Sequence, residues 1–185
     1  MTPARWDALS RFLNALQIYV LVGILGGALY FQLGLGENPC PLCLLQRMGM
    51  MGVMCGAVLN LRNGLRPQHY GLVILAALFG AGTATRQILL HIVPGTGGYG
   101  EPVMGLHLYT WSFIAEICNL IGTGVLLLFY GLGETALRGG SSEPVKMSRF
   151  EHTACLLAIG ITAFNVILTL RECGLSACCE NGPCP

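Results

Sequence analysis

A chain that crosses a lipid bilayer must satisfy its backbone polar groups within the spanning structure, which restricts it to helices or closed barrels. Runs of about 20 predominantly apolar residues are therefore the feature that most constrains this sequence, because each has the length of one spanning helix. Five such runs are legible, at 13–33, 44–61, 70–93, 108–130 and 152–170. They cover more than half of the 185 residues, and the longest stretch between them, 131–151, is too short for a separate folded domain. The predicted fold is all-α and integral to the membrane: a four-helix transmembrane bundle plus a fifth transmembrane helix. It forms one membrane domain over 1–185 that ends in a Cys-rich tail at 171–185. Composition agrees, with 54% of residues apolar and 10% charged, against roughly 45–50% and about 25% in soluble domains. A formal net charge of +1 leaves no basic stripe to hold nucleic acid. The first run is too long for a signal-peptide core and has no small-x-small cleavage site after it, so it is expected to stay in the mature protein.

Loops facing the cytoplasm are enriched in Lys and Arg. Arg5 and Arg11 precede the first run, Arg62 and Arg66 follow the second, and Arg138, Lys146 and Arg149 lie between the fourth and fifth. All seven fall on one side, while the connections 34–39 and 94–105 carry neither residue and the tail carries only Arg171. The amino terminus is thus predicted to be cytoplasmic and the carboxyl-terminal tail extracytoplasmic. Small pairs four apart, Gly23 and Gly27, Gly52 and Gly56, Gly80 and Ala84, read as places where helices approach closely.

That orientation sorts the nine cysteines. Cys55, Cys118 and Cys155 lie inside runs, where a thiol behaves as a small hydrophobe and is expected to pack in the core. Cys40, Cys43, Cys173, Cys178, Cys179 and Cys184 fall on the outer side or at its edge, where disulfides persist. The stretch Asn38-Pro39-Cys40-Pro41-Leu42-Cys43-Leu44-Leu45-Gln46-Arg47 places a C-x-x-C at the start of a membrane helix. Pro41 suits the first helical position, which makes Cys40 the N-cap and puts Cys43 in the first turn. Free N–H groups and the helix dipole there favour a thiolate, as C-x-x-C pairs at helix starts do in general. Arg47, four residues past Cys43 on the same face, is placed to stabilise that thiolate or to bind a polar head group. A structural disulfide, half of a metal site and an arginine that snorkels to water are the competing readings.

Residues 40–47, following the first of several membrane helices, resemble the signature of the bacterial disulfide bond formation protein B (DsbB) family. Arg86-Gln87-Ile88-Leu89-Leu90-His91-Ile92-Val93-Pro94 is similar to the end of that family's third helix. The resemblance covers about residues 10–131. It implies an inner-membrane protein-disulfide oxidoreductase that reoxidises a periplasmic thioredoxin-fold thiol oxidase, DsbA-like, and passes the electrons to ubiquinone, with menaquinone as the alternative. Such a relay keeps the periplasm oxidising kinetically, without a redox buffer. Carried over, Cys40 and Cys43 form the redox disulfide, Arg47 contacts the quinone head group, and His91 and Arg86 are further candidates for the quinone pocket. The resemblance implies no metal.

The sequence departs from the family's pattern in two places. Typical members carry a second cysteine pair between the third and fourth spans, whereas 94–105 here contains no cysteine. This chain instead adds a fifth run and a tail containing Cys173, Cys178, Cys179 and Cys184. An odd number of spans returns that tail to the outer side, where it is expected to supply the second dithiol. An inert disulfided tail and a four-thiolate metal site remain open, the latter making the protein a non-enzymatic metal binder. A vitamin K epoxide reductase-like enzyme is the nearest enzymatic alternative. In the fourth run, Tyr109 and Trp111 read as interfacial anchors, and His107 as a residue able to take part in protonating reduced quinone.

Overall fold

The computed structural model describes residues 2–93, 95, 98, 100, 102–137, 146–174, 178–179 and 182–183. Five helices among them are long and apolar enough to cross a membrane: α1 (Pro3–Gly34), α2 (Pro41–Asn63), α3 (Pro67–Leu90), α4 (Leu108–Leu128) and α6 (Arg149–Cys173). A 3-10 turn, Tyr130–Leu132, and the short α5 (Glu134–Leu137) follow α4, and the tail forms an antiparallel pair of two-residue strands, β1 (Cys178–Cys179) and β2 (Gly182–Pro183). Proline opens α1, α2 and α3, where its missing N–H removes no helical hydrogen bond. Gly64 at φ 85° ends α2 and Gly174 at φ 63° ends α6, each in the left-handed region that glycine adopts without a Cβ clash.

The boundaries differ from expectation at three helices. α1 begins ten residues before 13, because Pro3 starts it and its polar first turns extend beyond the apolar run. α3 stops at Leu90 rather than 93, where His91 N–H donates to Ile88 O at 3.1 Å and leaves α-helical geometry three residues ahead of Pro94. α4 stops at Leu128 rather than 130, as the chain tightens into the 3-10 turn.

Packing departs from a plain four-helix bundle with an appendage. The buried core joins Ile18, Leu21 and Leu25 of α1, Val53, Met54 and Leu61 of α2, Val73 and Ala77 of α3, and Ala154, Cys155 and Ala158 of α6. The fifth span thus packs into the core, against α1 and α2, while α4 packs mainly on α3 and barely touches α1. Between α1 and α4 this leaves an apolar groove of about 820 Å³. Gly23 and Gly27 face it with nothing close to them, so this pair does not mediate the close helix contact expected of it. Cys55 and Cys118 face the bundle's exterior rather than its core, Cys118 along the groove; only Cys155 of these three is buried as expected.

The closest approach is between α2 and α3. A Cβ on Gly49 would lie 2.6 Å from Gly80 Cα, one on Gly52 would lie 2.8 Å from Ala76 Cβ, and one on Gly56 would lie 2.9 Å from His69 O. At the end bearing the arginines, Arg11 pairs with Glu151 (Nε to Oε1, 2.7 Å) and donates to Leu61 O at 3.2 Å, tying α1 to α6 and α2. Glu151 also completes a capping box with Ser148 at the start of α6. Two substitutions separate contact glycines from groove glycines. Gly49→Ala is expected to lower stability by about 1–3 kcal/mol through overpacking, and Gly23→Ala to leave it within about 0.5 kcal/mol, both read from reversible unfolding in mixed detergent micelles.

Candidate active site

Cys40 and Cys43 are joined as a disulfide at the start of α2, with Cα atoms 5.0 Å apart. Cys40 is the N-cap, with extended backbone at φ −69° and ψ 158°, and Pro41 occupies the first helical position. The Cys43 N–H donates to Cys40 Sγ at 3.1 Å, so a sulfur takes the role that a serine or aspartate oxygen usually plays at a helix start. A donor aimed at that sulfur supports negative charge on it once the disulfide opens.

A second donor comes from α3. Gln87, 1% exposed, directs Nε2 to Cys40 Sγ at 3.2 Å and to Cys43 Sγ at 3.6 Å, and its Oε1 accepts from Gln46 Nε2 at 2.6 Å. The two glutamines hold each other in one orientation, and the carboxamide N–H₂ is left to face both sulfurs.

Arg47 is turned away from the sulfurs. Its Nη1 donates to Gln32 Oε1 at 2.6 Å and reaches Asn165 Oδ1 at 3.5 Å, and Nη2 donates to Ala28 O at 3.3 Å. Gln32 in turn donates to Glu172. The guanidinium is therefore held by α1 and by the fifth span, through neutral acceptors with a carboxylate one residue further out.

These groups surround a cavity of about 100 Å³ lined by Cys43, Gln46, Arg47, Met50, Gln87 and Ser112 among others. Ser112 Oγ is buried there and has no hydrogen-bond partner among the described residues. Ile24, Ala28, Phe31, Leu108 and Trp111 line both this cavity and the groove between α1 and α4. Tyr109, which also borders the cavity, stacks with both His91 and His107, at 5.5 and 5.3 Å between ring centroids. His91 Nδ1 lies 2.9 Å from Gln87 O, and Trp111 Nε1 donates to Val103 O at 3.0 Å, fastening the 103–106 turn to α4.

Of the residues singled out from sequence, Cys40, Cys43 and Arg47 come together. His91 does not line the cavity and touches it through Tyr109 and Gln87, and Arg86 is exposed on the outside of α3 and does not line it. Cys173 is buried at the end of α6 and is disulfide-bonded, which withdraws its sulfur from the thiolate set of a metal site. The side chains of Cys178 and Cys179, and all of Cys184, lie outside the described residues. Sequence reasoning missed Gln46, Gln87, Ser112, Gln32, Asn165 and Glu172, all polar residues in or at the end of apolar helices.

A C-x-x-C disulfide held at a membrane-helix start, with donors trained on its sulfurs, defines a membrane-embedded thiol–disulfide oxidoreductase. The profile of the family described as Disulfide bond formation protein DsbB matches residues 10–99. Disulfide bond formation protein B 1 of Pseudomonas fluorescens (strain ATCC BAA-477) is 40% identical over 145 residues, covering 60% of this chain and 85% of that protein. Disulfide bond formation protein B of Xanthomonas euvesicatoria pv. vesicatoria is 36% identical over 131 residues, 67% of this chain and 75% of that one. The protein of that name from Chromobacterium violaceum is 46% identical over 77 residues, 39% and 46% of the two chains. No solved structure matches the chain. The chain belongs to the DsbB family and is a multi-pass inner-membrane disulfide oxidoreductase, which sets aside the vitamin K epoxide reductase-like alternative.

The Gln87 donor has a measurable consequence. Hydrogen bonds to the sulfurs stabilise the reduced form and raise the reduction potential, so Gln87→Leu is expected to lower that potential. One lost hydrogen bond of about 1 kcal/mol corresponds to about 20 mV for this two-electron couple. Equilibration against glutathione buffers with alkylation trapping measures it; an unchanged potential would leave Gln87 a packing residue only.

Proposed function

We propose that this protein reoxidises a periplasmic thioredoxin-fold thiol oxidase and passes the electrons to ubiquinone. The observation that carries the reading is the shared wall of the two cavities. Cys43 borders a small chamber with polar donors, and that chamber shares its wall with an apolar groove between α1 and α4. A quinone has this shape in chemistry: a ring with two carbonyl acceptors on a long apolar chain.

The residues present fit such a group. Ser112 Oγ–H is a buried donor without an acceptor among the described residues, Arg47 brings a fixed cation to the same wall, and Met50, Ile24 and Phe31 supply apolar sides. Arg47 and Ser112 would hold the carbonyls, and the apolar chain would lie in the groove. When bound, the quinone supplies a two-electron, two-proton acceptor, so it is the sink for dithiol oxidation. The protein's own work is to hold Cys43 against the chamber, to orient Gln87 on the sulfurs and to keep water out.

The orientation read from the basic residues puts Cys40 and the tail on the periplasmic side. The end of α6 supports this arrangement of the relay, because Glu172 bonds Gln32, which bonds Arg47, so Cys173 ends its helix at the same end of the bundle as Cys40. With no cysteine in 94–105, the tail serves as the second dithiol. A thiolate of the soluble partner attacks a tail disulfide, the tail dithiol formed reduces Cys40–Cys43, and each exchange conserves one disulfide and two thiols. Electrons leave the protein only at Cys43.

Turnover assays test this reading. Purified protein with reduced partner and ubiquinone should yield ubiquinol, and Cys43→Ser and Cys40→Ser should each abolish it; ubiquinol formation without these cysteines would remove them from the path. Arg47→Ala should raise the KM for ubiquinone roughly tenfold, the equivalent of ~1.4 kcal/mol of lost charge-assisted bonding. Replacing Cys173, Cys178, Cys179 and Cys184 together by Ser should stop turnover with the partner while leaving quinone reduction by a small dithiol. Undiminished partner turnover would mean that Cys40–Cys43 meets the partner directly.

A further inference from the structure

Glu116 lies in the middle of α4, fully buried, and neither carboxyl oxygen has a hydrogen-bond partner among the described residues. It occupies a niche that two glycines leave open where α2 and α3 cross. A Cβ on Gly80 would run into the carboxyl group, and one on Gly49 would lie 3.1 Å from Oε1. Among the described residues no cation meets it from any helix packed there. On α2, Arg47 donates toward Gln32, Ala28 and Asn165 and not to Glu116; on α3, the nearby Thr83 hydroxyl donates to Gly80 O; on α1, Gln17 is bonded to Asn119.

An ionised carboxylate without a partner in an apolar interior costs far more than a carboxylic acid, so such a group holds its proton. Ionisable residues in membrane spans are expensive and mark functional paths, proton relays among them.

Glu116 also lies in line with the active-site chamber. Ser112 is one turn nearer the disulfide on the same face of α4, lines that chamber, and carries a buried hydroxyl without a partner among the described residues. On α2, Gly49 is three residues, about 4.5 Å of helix rise, beyond Gln46, which borders the same chamber. Two buried polar groups without partners therefore follow one another from the chamber wall into the bundle.

We propose that Ser112 and Glu116 form a proton relay beneath the chamber, with Glu116 as its store. This rests on the quinone reading above. Oxidation of the Cys40–Cys43 dithiol releases two electrons and two protons, and a quinone takes up both pairs in becoming quinol. The two groups are not hydrogen-bonded to each other in this structure, so transfer takes a side-chain rotation that brings the Glu116 carboxyl onto the Ser112 hydroxyl one turn away; Glu116 then gives its proton to the chamber through that hydroxyl and takes back one of the protons that the thiols release. Its net protonation is unchanged over a turnover, and no proton has to enter from bulk water.

The test uses the full chain in lipid nanodiscs and has two readouts. Infrared difference spectra between the protein in H₂O and in D₂O should contain a protonated-carboxyl C=O band that is absent in Glu116→Gln. The rate of ubiquinol formation should fall on the order of 10²-fold in Glu116→Gln, the scale of one general acid, with partial recovery in Glu116→Asp and a pH profile displaced from that of the wild type. Ser112→Ala should slow ubiquinol formation while retaining the infrared band. A wild-type protein without that band, or a Glu116→Gln protein with wild-type rate and pH profile, would overturn the relay while leaving the quinone reading intact. Absence of ubiquinol from the wild type would instead overturn the quinone reading and, with it, the relay's role. Because the band is recorded on the wild type, a variant that fails to fold does not leave the question open.

Discussion

The crossing of α2 and α3 is the contact on which the site depends. Lipid offers no hydrophobic drive for helices to associate, so close backbone approach and dispersion must hold them together, and here Gly49, Gly52 and Gly56 bring α2 onto α3. That approach sets the register in which Gln87 of α3 meets the sulfurs at the start of α2. It also empties the niche that receives Glu116 from α4. A larger residue at either contact glycine of that niche would separate the helices, and the donor on the disulfide and the buried acid would be displaced together.

Part of the site was legible because its chemistry runs along one helix. Cys40, Pro41, Cys43 and Arg47 are neighbours in sequence, and their residue types and spacing carry the cap, the disulfide and the charge one turn on. Their partners were not legible, because they arrive from other helices. Gln87 is 44 residues from Cys43 and Asn165 is 118 from Arg47. Arg86 and Gln87 make the point within a single dipeptide: the charge draws attention, yet one helical step, about 100°, puts Arg86 outside and Gln87 on the sulfurs. Glu116 could have been found as the one acidic residue within the five apolar runs, but averaging over a run hides it.

The fold class followed from run length, whereas helix arrangement did not. The fifth run has no polar stripe, and its lone interior amide, Asn165, is a weak marker of which face meets a neighbour, so its place in the core is visible only in the structure. That place explains why this helix is more than a means of returning the tail to the disulfide end. Asn165 and Glu172 complete the acceptor set around Arg47 and Gln32, so the guanidinium of the site is positioned partly by a helix outside the matched family profile, which ends at residue 99.

The seam between α1 and α4 has a consequence for supply. Because it is lined almost wholly by apolar side chains of these two helices, it suits a molecule dissolved in the bilayer, and the effective concentration of the proposed quinone there is a mole fraction among lipids. Turnover then responds to how crowded the membrane is with that molecule and is indifferent to the volume of the compartment outside. Diluting the protein in detergent would starve the site even with total amounts unchanged.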